Sequence, residues 1–302
     1  MKDLFQNRLA KHIEELLSRK VIGIKTPPQG MTSKVFFIEF EDKKGYAVKY
    51  GEDAMNDVPA FELIEARHIN IPVPKLIKHL VFEEVPVVIL EKVEYPLLDS
   101  INVKKVARYI PSMIKNLREL HKVKSQKPGL LIEPDSKKTW KEMILSIFEG
   151  REFDWNEIAS RKGVDGVLIL ESVKRIIEKI KNTKFIDRDF SFLHTDFNQR
   201  NLFVDPNSDK ITGIIDWEEA MFGDPIYDFA RIRMFLWHFN LGDEVVENYY
   251  KILSYTEEEK DLEELYCLSR TIQYLDWYSE ELNDFNSGRI TLHQDYLRNY
   301  KW

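Results

Sequence analysis

Apolar residues in the first third of the chain follow the short rhythm of strands. Residues 35–50, VFFIEFEDKKGYAVKY, form two β-rich runs joined by a short polar turn that contains Gly45, because a pleated strand turns successive side chains to opposite faces. Residues 85–90 make a continuous apolar run of strand length, and INIPVPKLI is a further strand-forming stretch. Between these strand regions DVPAFELIEARH has short helical spacing, closed by Pro72 and Pro74. Further along, the rhythm lengthens. Over residues 103–123 apolar positions recur at 106, 109, 110, 113, 114, 117 and 120, the stripe of a buried amphipathic helix, with Pro111 predicting a kink or a fresh start. A second stripe, Leu170, Val173, Ile176, Ile177 and Ile180, predicts a helix that braces the segment after it. Two apolar runs, 202–204 and 211–215, flank the turn-rich DPNSDK and read as a hairpin. Helical spacing resumes at Ile226, Phe229, Ala230 and Ile232, and helices rich in aromatic residues fill the remainder.

Composition narrows what such a chain can be. Its 302 residues suffice for a packed core in one large domain or two lobes. No apolar run approaches the ~20 residues that span a bilayer, and the N-terminus alternates charge with apolar residues and lacks a signal-peptide core. A cytoplasmic protein with no membrane partner is expected. Cys267 is the only cysteine, which leaves no internal disulfide and no cysteine cluster for zinc; its apolar helical setting predicts a buried, inert thiol. A net charge of -7 argues against a nucleic-acid surface.

The chemistry concentrates in FLHTDFNQRNLFV, DPNSDKITG and IIDWEEAMFGDPIYDFA. His194-x-Asp196, four residues and then Asn201 is the catalytic-loop pattern of kinases, and an apolar strand ending in Asp216 is the metal-holding pattern downstream. Phosphoryl transfer needs one carboxylate to orient the acceptor hydroxyl, and an amide with a second carboxylate to hold Mg2+ on the nucleotide. Asp196 fits the first role, Asn201 and Asp216 the second, and the hairpin would bring the latter two to neighbouring strand ends. His194 is expected to bond backbone and steady Asp196. Only seven residues separate Asp216 from Asp224, too few for the long activation segment that docks a peptide, so the acceptor is expected to be a small molecule. Lys49, near the end of the second strand run, fits the lysine that grips the nucleotide phosphates. Its carboxylate partner is sought in the next helix, with Glu62 preferred and Glu65 the alternative.

HTDFNQRN, IIDWEEAMFGDP and YDFA resemble the aminoglycoside phosphotransferase family of kinase-like enzymes, and ITGIIDWEEAMFGD with the upstream TWKEMI is most similar to its hygromycin B branch. The resemblance runs from about residue 30 to 290 and is tight over 193–230. It implies an α+β, protein-kinase-like two-lobed fold, with a small N-terminal lobe holding an antiparallel sheet (1–92) and a larger, mainly helical C-terminal lobe (93–302). It implies ATP, with GTP open, as phosphate donor. PPQGMTSKVFF resembles the family's phosphate-covering loop, with Gly30, Thr32 and Ser33 facing the phosphates, although Gln29 and Ser33 stand where glycine and asparagine are common. The adenine would lie against the carbonyl of Glu91 and the amide of Val93. The implied acceptor is a cationic, aminoglycoside-type molecule such as hygromycin B, met by Asp196, Gln199 and Glu219 and by a wall of Phe235, Trp237 and Trp277, in a protein acting as a monomer. Other acceptors are choline, an amino alcohol or a ketosamine; a nucleotide-binding pseudokinase is the alternative without turnover.

The last 48 residues carry eleven acidic and five basic residues. Where that charge borders the acceptor site it would attract a cation. Glu257 to Glu264 are read instead as a solvated helix face, and Arg200, beside Asn201, with Arg231 and Arg233, near the pocket helix, add positive charge where a polycation would bind.

Overall fold

The protein is described from a computed structural model, over residues 2–27, 34–133, 138–150, 153–186 and 188–302. Along the chain it forms α1 (Lys2–Leu17), β1 (Val21–Lys25), β2 (Lys34–Phe40), β3 (Gly45–Tyr50), α2 (Val58–Ala66), β4 (Leu76–Phe82), β5 (Val85–Glu91), α3 (Val103–Val106) and α4 (Ile110–Leu120). Two short strands follow, β6 (Lys124–Ser125) and β7 (Gly129–Leu130), then α5 (Trp140–Glu149), α6 (Trp155–Ser160) and α7 (Gly166–Asn182). Next come β8 (Phe190–Leu193), β9 (Leu202–Asp205), β10 (Lys210–Ile214), β11 (Met221–Gly223), α8 (Ile226–His238), α9 (Asp243–Leu253), α10 (Glu257–Ser279) and α11 (Asp284–Asn299). An N-terminal antiparallel sheet and a mainly helical C-terminal region make this the kinase-like fold.

Two compact units divide the chain, Met1–Leu120 with Asp196–Ala220, and His121–Thr195 with Met221–Trp302. Compactness therefore groups residues differently from a single cut after residue 92. Backbone bonds give the reason: the β9–β10 hairpin is tied to the first unit by Val204 N–H to Pro96 O (2.9 Å) and Ile214 N–H to Pro72 O (2.8 Å).

In the first unit five strands run in the order β1-β2-β3-β5-β4, each pair antiparallel. Leu9, Ala10 and Ile13 of α1 pack with Phe36, Ile38, Val48, Val87 and Ile89, and each large side chain so buried contributes roughly 1.5–3 kcal/mol. The register sets Lys49 between Val35 of β2 and Val88 of β5, on a central strand. Every position of the 106–120 stripe is buried. Pro111 begins a fresh helix: α4 starts at Ile110, so proline falls in a first turn where its missing N–H costs nothing.

The second unit packs helices around Trp140, Ile144, Ile176, Ile180, Tyr266 and Leu268. On α7 the buried stripe is Ile169, Val173, Ile176 and Ile180, while Leu170 is exposed, a shift of one residue at the start of the stripe from that read in the sequence. A small sheet, β6-β8-β11-β7, carries the chain towards the motif. Gly223 is required there, since a Cβ would meet the Trp140 ring at 2.5 Å.

Much of the acidic tail is spent on structure. Thr256 and Glu259 form a capping box at the start of α10, where Glu257 and Glu258 also suit the helix dipole. Asp276 is paired with Arg161 at 2.8 Å, and Asp295 with Arg298 at 2.8 Å. Glu263 corrects the solvated-face reading: it is fully buried, accepts the Tyr249 and Tyr250 hydroxyls, and burial pushes its carboxyl up to about 7. Cys267 is buried as expected, and burial pushes its thiol well up.

Candidate active site

Four of the residues singled out in the sequence gather within the first unit. The β9–β10 pairing sets Leu202 opposite Ile214, and Ile215 N–H donates to Asn201 O at 3.0 Å, so Asn201 and Asp216 do stand at neighbouring strand ends. Asn201 Nδ2 donates to Asp196 Oδ2 at 2.8 Å and to the Asp196 carbonyl at 3.0 Å. Asn198 Nδ2 reaches the same Asp196 oxygen at 2.8 Å. With its amide nitrogen engaged in this way, Asn201 has its oxygen as the end able to meet a cation. On the far side of the hairpin, Lys49 Nζ lies 3.2 Å from Asp216 Oδ1.

Lys49 is held by more than one carboxylate. Its ammonium donates to Asp57 Oδ2 at 2.7 Å, and Glu218 Oε2 lies at 3.4 Å. Burial opposes the charged form, but Asp57, Asp216 and Glu218 together more than offset it and hold Lys49 above its ordinary value, fully protonated. Burial likewise pushes the Asp57 and Glu218 carboxyls up, with Lys49 opposing in both cases.

Asp57 replaces Glu62 as the partner of Lys49. Glu62 lies on the outer face of α2, its side chain 61% exposed and 3.7 Å from His79, because α2 turns Phe61 and Ile64 inward. Glu65 is exposed as well. Asp57 sits where the short 3-10 turn Glu52–Asp57 passes into α2, is 1% exposed, and also accepts Trp217 N–H at 2.7 Å. One carboxylate thus ties β3 to the residue after Asp216, which itself has φ of +69°. The signal available in the sequence was an acidic residue directly ahead of the Val-Pro that opens the helix.

In the second unit Asp228 performs a related task. It is fully buried and accepts His194 N–H at 3.0 Å, Thr195 N–H at 2.7 Å and a contact from His121 Nε2 at 2.9 Å. This fixes the two residues that lead into Asp196. His121, one residue past α4, is itself buried and meets the Phe229 ring edge-on at 5.3 Å.

The remaining candidates are scattered. Gly30, Thr32 and Ser33 lie outside the described residues. Glu91 ends β5 in register with Tyr46, and Val93 lies two residues beyond. The Gln199 carbonyl accepts Asp99 N–H at 3.0 Å, and Glu219 is exposed beside Glu218. Phe235 is 2% exposed and packs on Phe239, so it is core and has no face for an acceptor. Trp237 packs on Tyr296 and borders a cavity with Glu264 and Asp295; Trp277 is half-buried against Tyr274 and Tyr278.

Whether these residues suit a magnesium nucleotide follows from the donor set. Among the described residues no three His, Cys, Asp or Glu side chains form a self-contained cage. Asn201 and Asp216 instead suit an ion that takes most of its oxygen ligands from phosphates and water, as Mg2+ does. A lysine kept charged beside them suits the phosphates themselves.

Fold and motif together define a kinase-like phosphotransferase: the phosphotransferase enzyme family (APH) matches residues 23–265, and the chain belongs to it. Among particular proteins, the hygromycin-B 4-O-kinase of Escherichia coli is 28% identical over 99 residues, 33% of this chain and 26% of that protein. The match thus spans about a quarter of that relative's length. The crystal structure of aminoglycoside phosphotransferase APH(4)-Ia superposes with a TM-score of 0.74 at 17% identity, covering 97% of each chain. A thermostable mutant of it, in ternary complex with AMP-PNP and hygromycin B, gives 0.74 at 17% identity over 95% of this chain and 97% of that one. Spectinomycin phosphotransferase APH(9)-Ia, with ADP and spectinomycin, gives 0.64 at 17% over 97% and 95%. At these identities the likeness is one of fold. Among the described residues no helix is long and apolar enough to cross a membrane.

Proposed function

We propose that the protein transfers the γ-phosphate of ATP to a hydroxyl of a small, aminoglycoside-type acceptor. The observation that carries this reading is the hydrogen-bonded chain from Asp196 through Asn201 to the strand end bearing Asp216, closed on the other side by Lys49. Asp196 orients the acceptor hydroxyl for in-line attack and takes its proton late, as a loose transition state allows. Asn198 and Asn201 fix the carboxylate so that little reorganisation accompanies the reaction. Lys49, fixed by Asp57, binds the phosphates. Asn201 and Asp216 would hold Mg2+, which supplies charge neutralisation on the triphosphate when bound. The backbone of Glu91 and Val93 would meet the adenine, and Gln199 and Glu219 the acceptor. Lys49, Asp196, Asn201 and Asp216 being present together disfavours a pseudokinase.

The test is ADP release in a coupled assay over a panel of acceptors, hygromycin B first, since the short sequence match is to a protein named for it and one of the structures above is a complex with it. Loss of response to hygromycin B alone would redirect the acceptor to choline, an amino alcohol or a ketosamine. Asp196→Asn should keep nucleotide binding while lowering turnover by at least about 10²-fold, the usual scale of acid–base contributions; unchanged turnover would falsify the assignment.

A further inference from the structure

Thr195, which leads into Asp196, has φ of +68°. A β-branched residue takes this left-handed conformation only when its surroundings enforce it. The enforcement is visible on both sides of the residue. Its N–H donates to Asp228 Oδ1 at 2.7 Å, and its carbonyl accepts from Arg270 Nη2 at 3.2 Å. The Thr195 carbonyl carbon is bonded to the Asp196 nitrogen, so Arg270 grips the very peptide group that carries Asp196.

The guanidinium is itself held. It lies over the Tyr227 ring, 4.6 Å from the centroid, and Nη1 donates to Gln273 Oε1 at 3.3 Å. Gln273 is anchored in turn through Nε2 to Ser269 O at 3.1 Å. Tyr227 is buried and meets Trp140 and Tyr266 edge-on, at 5.4 Å and 5.2 Å. Tyr227 and Asp228 are consecutive on α8, so one turn of helix supports both grips on Thr195. A planar fork that stacks and donates in two directions is a task for arginine that lysine performs poorly.

We propose that Arg270 is a positioning residue for phosphoryl transfer: through the Thr195 carbonyl it fixes the peptide plane from which Asp196 reaches the acceptor hydroxyl. The inference rests on the phosphotransferase reading above. Reaction rates fall by up to about 10²-fold for a displacement near 1 Å, so Arg270→Ala should lower kcat by about 10- to 100-fold. The KM values for ATP and acceptor should stay within about twofold, since no binding contact is removed.

The decisive measurement is chemical rescue. Guanidinium or ethylguanidinium, at concentrations that leave the wild-type Tm unchanged, should restore kcat to Arg270→Ala and leave Asp196→Asn unaffected. Arg270→Lys should recover only part of the loss. Should Arg270→Ala fail to fold, Arg270→Gln, which keeps one donor nitrogen but no guanidinium fork, carries the same comparison. Calorimetric titration with ATP and Mg2+ checks that the nucleotide site survives in each variant. A wild-type kcat in Arg270→Ala overturns the inference. So does a raised acceptor KM at unchanged kcat, which would make Arg270 an acceptor contact. So does a loss that neither guanidinium compound relieves. An inactive wild type sinks the phosphotransferase reading as well, whereas an active wild type with an indifferent Arg270 sinks this one alone.

Discussion

Asp57 and Asp228 are both buried carboxylates that accept a backbone N–H beside a residue of positive φ, yet they serve different ends. Asp57 takes one N–H, from Trp217, and gives its other oxygen to the Lys49 ammonium. Asp228 takes two, from His194 and Thr195, and its remaining partner is an imidazole. The first carboxylate therefore couples backbone shape to a charge that meets phosphate. The second is almost wholly a device of backbone shape. A buried carboxylate can be read as structural or functional only from its whole set of partners, and the count of N–H groups it satisfies is the better guide to the cost of losing it.

That contrast can be broken by substitution, and the largest effect is expected at Asp228. Asparagine there offers one acceptor oxygen to two buried N–H groups and turns an amide NH2 towards the rest, and each unsatisfied group costs about 1–3 kcal/mol. Asp228→Asn should lower stability by about 2–4 kcal/mol, read as the denaturation midpoint, with activity falling alongside. A midpoint equal to wild type would remove the distinction. Asp57→Asn can still accept Trp217 N–H but sets an amide NH2, a donor, against the ammonium of Lys49. Because Asp216 and Glu218 remain near Lys49, the ammonium keeps two of its three carboxylates and the stability loss should be smaller, about 1–2 kcal/mol, while the KM for ATP rises about tenfold. A larger stability loss than in Asp228→Asn, at unchanged KM, would reverse the two roles. Glu62→Gln provides the smallest effect: an exposed residue should shift stability by no more than about 0.5 kcal/mol and leave the KM for ATP as it was. A raised KM there would restore Glu62 as the partner of Lys49.

The legibility of the chain follows the same division. Asp196, Asn201 and Asp216 lie within one short stretch, and the hairpin that joins them is written in local turn chemistry, so their convergence could be read from spacing. The stripe ending at Leu120 was equally plain, because every member faces one core. The partner of Lys49 depends on which face of α2 turns inward, a matter of packing that the DVPAFELIEARH pattern leaves open between several carboxylates. Phe235 was read as a pocket wall from its aromatic character, but α8 is buried over ten of its thirteen residues and leaves that ring no surface. Glu263 was hidden inside an acidic run whose other members suit water; two tyrosines from α9 make its burial tolerable. Arg270 gave no signal at all, since its target is a main-chain carbonyl some 75 residues upstream.

Cys267 sits one turn before Arg270 on α10, 2% exposed, with its sulfur 3.6 Å from the Ala230 carbonyl. As the sole thiol in the protein, it is a native reporter: a disulfide reagent can reach it only when that helix lifts from its neighbours. Its labelling rate, with and without nucleotide, would clock how often α10 breathes, without any engineered probe.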